Sequence, residues 1–200
     1  MTAHILWPTF LWEGQEDPTI CLAMAQELLP DDYMLRDWTD VRPWCSDDLL
    51  HHREEWAWAR DRVLEEAARY AEHSGILYQN LYITSMWVNA QYQRQNHAPH
   101  THPNSLFSGI WYLDTPPGSQ CLMMYDPRPA MGVIKPRTRT PQGNISVAAT
   151  AGAILMWPSW LMHSTQSITP DELDRPRISL AFNVMLRDSI DDHSARIDYL

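Results

Sequence analysis

The stretch His100-Thr101-His102-Pro103-Asn104-Ser105-Leu106-Phe107-Ser108-Gly109-Ile110-Trp111-Tyr112-Leu113 decides the reading of this chain. Two later stretches complete it: Trp157-Pro158-Ser159-Trp160-Leu161-Met162-His163 and Arg177-Ile178-Ser179-Leu180-Ala181-Phe182-Asn183. Side chains alternate along extended backbone, so His100 and His102 project to one side. Pro103 biases His102 toward that extended form. Two imidazoles so spaced can grip one metal ion from adjacent corners. His163, in a tight apolar and strand-like setting, is suited to be the third ligand. Imidazole serves iron, zinc, copper and nickel alike, so ligand type does not choose the metal.

Arg177 and Ser179 are also two apart and face the same way on a strand. A guanidinium beside a hydroxyl makes a specific grip for a carboxylate. Ile178, Leu180, Ala181 and Phe182 imply that this strand is buried, and a buried arginine needs an anionic partner. A bound dicarboxylate is a natural one.

Working outward, short β-like runs at 81–92, 106–113, 120–125, 144–149, 153–157, 160–167 and 176–186 are separated by Pro, Gly and Asn. Residues 4–12 read as a proline-containing edge strand. Asp17-Pro18 opens a helix that Pro30 ends. A second helix is expected from an N-cap at Ser46 to a stop at Gly75. Leu49, Trp56, Val63 and Tyr70 recur every seven residues on its buried face, and Glu65 and Arg69 pair outside. Helices first and antiparallel strands afterwards predict a mainly β fold with flanking helices, a β-sandwich or jelly roll buttressed on one face. One domain spans 1–200: an N-terminal strand and supporting helices over 1–75, a jelly-roll core over 76–187 and a C-terminal tail over 188–200. The long connection 126–143 has the length of a lid, and Lys135, Arg137 and Arg139 make it locally basic.

Composition narrows the class. The net charge of -10 makes the chain a poor general binder of nucleic acid or anionic membrane. No apolar run approaches the ~18 residues that cross a bilayer, and the start lacks a signal peptide's pattern. Cys21, Cys45 and Cys121 are too few and too dispersed for a disulfide scaffold or thiolate zinc site. These features lead us to expect a soluble, cytoplasmic protein.

The motifs together resemble the Fe(II)/2-oxoglutarate-dependent oxygenases, above all a small branch found in marine bacteria and phages. Members of that branch are similar to this chain in His-x-His-Pro-x-Ser and Ser-Gly-x-x-Tyr-Leu. They also share Phe/Trp-Pro-Ser-x-Leu-x-His, Arg-Ile-Ser-x-x-Phe-Asn and an opening Phe-Pro-Thr segment, matched here by Trp7-Pro8-Thr9-Phe10. The likeness is loose over 5–12 and good over 87–183. It implies a double-stranded β-helix, with His100 and His163 as iron ligands and Arg177 and Ser179 on the distal carboxylate of 2-oxoglutarate. Trp87 and Asn89 match a Trp-x-Asn that faces the pocket, Asn89 on the cosubstrate side.

One position departs from the superfamily at large, which uses His-x-Asp where this chain has His102. Either three histidines hold the iron or a carboxylate arrives from elsewhere. Asp114 lies at the far end of the 106–113 strand, about 25 Å along the chain, too far to serve, while Asp126 stays open. We expect His100, His102 and His163 to be the ligands. Three neutral ligands leave the iron site one unit more positive, which favours a dianionic cosubstrate. His97, Trp87, Trp111 and Trp157 are expected to border the substrate, with His97 able to orient a ligand. The resemblance implies a hydroxylase using Fe(II), 2-oxoglutarate and O2 on a small molecule or a peptide- or carrier-bound substrate. Two other classes fit the histidines: a cupin-like three-histidine dioxygenase without 2-oxoglutarate, and a non-catalytic jelly roll that binds.

Overall fold

The computed structural model describes residues 8–28, 43–92, 95–128, 137, 143–166 and 175–187. Nine strands and two α-helices are described: β1 Trp12–Gln15, α1 Pro18–Leu28, β2 Trp44–Cys45, α2 Ala57–His73, β3 Asn80–Gln91, β4 Phe107–Asp114, β5 Cys121–Met124, β6 Ile145–Val147, β7 Ala153–Pro158, β8 His163–Gln166 and β9 Arg177–Arg187. The strands form a six-stranded sheet in the order β1-β7-β4-β9-β3-β2 and a three-stranded sheet in the order β6-β5-β8. Every strand pairing is antiparallel. This is the two-sheet jelly roll expected from the run of short strands.

Alternation along β9 divides the molecule. Ile178, Leu180, Phe182 and Val184 join a core with α1 and α2 residues such as Cys21, Met24, Val63, Ala67 and Tyr70. Arg177, Ser179, Ala181 and Asn183 face the other way, toward the small sheet. There Tyr112, Leu155, Trp157 and Leu161 pack with Leu122 and Met124 of β5. Full burial of each large apolar side chain contributes about 1.5–3 kcal/mol, so the helix-side core anchors the sheet whose opposite face carries chemistry.

The helix layer departs from the sequence pattern. Ser46 does not cap a helix: its hydroxyl accepts the Val88 N–H, and Met86 N–H goes to Asp48 O. The segment thus follows β3, passes through two short 3-10 turns, and becomes α-helical at Ala57. Leu49 is therefore exposed, while Trp56, Val63 and Tyr70 are buried as expected. Gly75, at φ 70°, follows the helix end. Arg69 pairs with Glu66 instead of Glu65. Glu66, almost wholly buried on α2, also accepts Trp12 Nε1–H at 2.7 Å and the Arg62 guanidinium, tying β1 to the helix. The first strand begins at Trp12 because its partners Met156 to Ala153 lie there. Residues 4–7, Pro30, Lys135, Arg139 and the tail 188–200 lie outside the described residues, as does most of 126–143. Arg137 is exposed.

Gly109 on β4 marks the tightest point of the sheet. A Cβ there would sit 2.3 Å from the Phe182 ring and 2.6 Å from the Leu155 carbonyl oxygen. Since the second obstacle is backbone, G109A is expected to lower stability by about 2–3 kcal/mol, measurable by urea denaturation.

Candidate metal centre

His100 lies outside the named strands but makes a single antiparallel bridge with His163. Each donates its backbone N–H to the other's carbonyl, at 2.9 and 3.0 Å. His102 N–H reaches Ser159 O at 3.0 Å. Extended backbone, as Pro103 suggests, thus brings three imidazoles together. Their ligating nitrogens lie within 4.8 Å of one another, and among the described residues this is the group of His, Cys and acidic side chains that could hold a metal. No carboxylate belongs to it. Asp114 is instead held in a fork by Arg175, at 2.8 and 3.0 Å, and Asp126 pairs with Arg128.

Nδ1 of His100 is 2.7 Å from Ala98 O, and Nδ1 of His163 is 2.9 Å from Leu161 O. A carbonyl accepts, so both rings carry hydrogen on Nδ1 and leave an Nε2 lone pair. His102 Nε2 lies 3.2 Å from His163 Nε2. Burial, followed by the neighbouring imidazoles, pushes His102 down to about 4. His163 is also pushed down to about 4, by burial against the smaller opposing pull of the Leu161 carbonyl. Neutral imidazole is the metal-binding form.

Arg177 is fully buried. Its two terminal nitrogens donate to neutral acceptors, one to Gln120 O at 2.9 Å and the other to Gln91 Oε1 at 2.5 Å. Its Nε–H has no partner, and neither does the buried hydroxyl of Ser179. The Tyr112 hydroxyl is also buried and unpartnered, with the guanidinium carbon 5.5 Å from its ring centre. Tyr112 and Asn89 flank Ser179 in register on β4 and β3. Three orphaned donors grouped beside a buried cation are complementary to a carboxylate. The donor sets therefore fit a divalent metal at one end and an acid's carboxylate at the other.

The other expected residues divide. Trp157 packs edge-on against His163 at 4.8 Å, and Trp87 lies 6.1 Å from the His102 ring. Asn89 is buried on the same face, its carbonyl taken by Cys45 Sγ and Trp87 Nε1. His97 is half-buried, 6.2 Å from the His100 ring. Burial first, then the Arg177 charge, pushes it down to about 4. Trp111 is the correction. It faces the helices and packs on Trp58 at 5.4 Å, because Ile110 and Tyr112 take the alternate positions that face the site. Tyr112, Gln91, Gln120 and Asn183 went unrecognised in the sequence. Counting by twos from Ser108 finds Tyr112, but the glutamines show their roles through contacts alone.

A family model described as "Putative 2OG-Fe(II) oxygenase" matches residues 85–183. The chain belongs to the Fe(II)/2-oxoglutarate-dependent oxygenase superfamily. Solved structures with the same fold include a prolyl-4-hydroxylase from Pseudomonas putida, at 13% identity and TM-score 0.59, covering 89% of this chain and 93% of that one. The epimerase SnoN from nogalamycin biosynthesis is 18% identical at TM-score 0.58, covering 88% and 78%. HygX from Streptomyces hygroscopicus, solved with nickel and 2-oxoglutarate, is 14% identical at TM-score 0.56, covering 89% and 82%. No curated protein sequence matches significantly. Among the described residues no helix is long and apolar enough to cross a membrane.

The depressed histidines set a pH response for this oxygenase. Unfolded imidazoles take up protons near 6.5, whereas His97, His102 and His163 resist until about 4. The unfolded chain therefore binds more protons in that window, and stability falls as pH falls through it. Thermal melts in chelator should show Tm dropping steadily from pH 6.5 to 4, with a shallower slope in H97Q.

Proposed function

We propose that this chain is a dioxygenase that uses Fe(II) and 2-oxoglutarate to hydroxylate a small molecule or a carrier- or peptide-bound substrate, with iron held by His100, His102 and His163. The observation that carries this reading is Arg177, sealed from water with neutral partners and an unpaired Nε–H beside the free hydroxyl of Ser179. A buried cation left so is costly unless an anion completes it. A metal ligand set without such a pocket would fit a three-histidine dioxygenase that needs no keto acid; Arg177 argues for the cosubstrate.

Bound there, Fe(II) and 2-oxoglutarate supply the chemistry in which one oxygen atom of O2 enters succinate, carbon dioxide leaves, and the other oxygen atom is inserted into a substrate C–H bond. Arg177, Ser179 and Tyr112 hold the distal carboxylate, and Gln91 and Gln120 fix the guanidinium. Asn89 borders the cosubstrate from β3. His100 and His163 present Nε2 lone pairs because backbone carbonyls take their Nδ1 hydrogens. Trp157 shields His163 from water. Trp87 and His97 stand beside the imidazoles, where they contact substrate. The fold itself does not choose the outcome, since relatives of this shape are named as a hydroxylase and an epimerase; hydroxylation is the default chemistry.

Anaerobic titration with Fe(II) and 2-oxoglutarate should produce the weak visible charge-transfer band of the chelate. R177Q should weaken 2-oxoglutarate binding about 100-fold while metal affinity stays within about two-fold. H102A should weaken the metal about 10–100-fold. Iron bound normally with no band, and no 2-oxoglutarate-dependent succinate, would refute the cosubstrate and leave the three-histidine dioxygenase.

A further inference from the structure

We infer that Asn183 is a positioning residue for the third imidazole: its side-chain carbonyl takes the hydrogen of His102 Nδ1 and so presents the His102 Nε2 lone pair to the metal. The inference rests on the three-imidazole reading above and names what makes an imidazole workable at that position.

The three rings are not held alike. His100 and His163 each have a backbone carbonyl on Nδ1. Nδ1 of His102 has instead Nδ2 of the Asn183 amide, at 3.4 Å. Its Nε2 is 3.2 Å from His163 Nε2, which carries a lone pair, so the hydrogen between them belongs to His102. A metal bound by all three Nε2 atoms displaces that hydrogen to His102 Nδ1. There it needs an acceptor, because a buried unpaired N–H is costly. The Asn183 carbonyl, now held by Ser108, becomes that acceptor when the amide turns over.

The surroundings of Asn183 fit that task. It is buried on β9, directly opposite Ser108 of β4 and Ser85 of β3 in register order. Ser108 Oγ donates to its carbonyl at 2.7 Å, and its Nδ2 donates to Ser85 Oγ at 2.9 Å. Ser108 Oγ also meets Ser159 Oγ at 2.8 Å, and the Ser159 carbonyl holds the His102 N–H. Hydroxyls donate or accept as required. The amide can therefore turn over within its clamp: Ser85 then donates to the carbonyl, Nδ2 donates to Ser108, and Ser108 donates on to Ser159. The three side-chain contacts of the clamp persist with their direction reversed, and the turned carbonyl accepts from His102 Nδ1. A carboxylate ligand has no tautomer to fix, so a chain with His102 in that place needs such a partner.

Three variants and one spectrum test this. Asn183→Leu fills the space without an acceptor, Asn183→Asp keeps one, and His102→Ala removes the ring. Co(II) and Fe(II) affinities are measured anaerobically, with the Co(II) ligand-field bands and a circular-dichroism check of folding. N183L should lose about 10–100-fold in affinity and weaken the bands, while N183D stays within about three-fold of the native protein. Histidine-ring 15N spectra of the Zn(II)-loaded native protein should show His102 with hydrogen on Nδ1 and metal on Nε2, an outcome independent of how any variant folds. Equal losses in N183L and N183D, or metal on His102 Nδ1, would overturn the inference. H102A weakened with N183L unchanged overturns it alone; H102A binding metal as the native protein does overturns the three-imidazole reading as well.

Discussion

A guanidinium sealed inside a β-sheet is the constraint around which this molecule is arranged. Taking an ion out of water costs several kcal/mol even after relaxation. The Gln120 carbonyl, the Gln91 amide and the face of Tyr112 recover part of that cost for Arg177, each without a negative charge. What remains is a net positive site with three unused donors on neighbouring positions of β4 and β9. Such a site makes sense as one half of an ion pair whose other half is a ligand.

The same few residues couple that pocket to the imidazoles. Gln91, which holds Arg177, also donates to Thr165 Oγ1 at 3.0 Å. Thr165 Oγ1 accepts the His97 N–H, and Thr165 N–H returns to the His97 carbonyl. The segment from His97 to His102 is thus hung from β8 at its start and bridged to His163 at His100. Loops place ligands loosely unless their backbone is tied down. Here the ties run to the strand that carries His163, so ring positions follow the sheet.

Much of this was legible because strands announce themselves by alternation. The seven β-like runs after residue 75 all became strands, and Arg177 and Ser179 share a face as their spacing requires. The two histidines before Pro103 converge with His163 for the same reason. What escaped was decided by contacts between distant segments. Trp111 looked like a pocket wall beside Gly109, yet parity sends it to the helices and gives the site Tyr112. Ser46 looked like a cap, but an unpaired N–H on β3 claimed its hydroxyl. Gln91 and Gln120 are ordinary polar residues in the sequence and acquire meaning only beside a buried charge.

In the proposed centre, an imidazole in place of a carboxylate at the third position exchanges one kind of control for another. A carboxylate brings charge and needs no orienting hydrogen bond. An imidazole brings none, and burial keeps His102 and His163 in the neutral form. A divalent ion bound there would keep its full charge, which would raise the attraction for a dianion that also reaches Arg177. The loss appears elsewhere, in the need to hold one ring in one tautomer. Asn183, Ser108 and Ser159 are buried and Ser85 half-buried, and the chain they form has no other evident task. A polar network on the face of the sheet that carries the imidazoles, able to reverse its hydrogen bonds, is what the proposed three-imidazole centre requires.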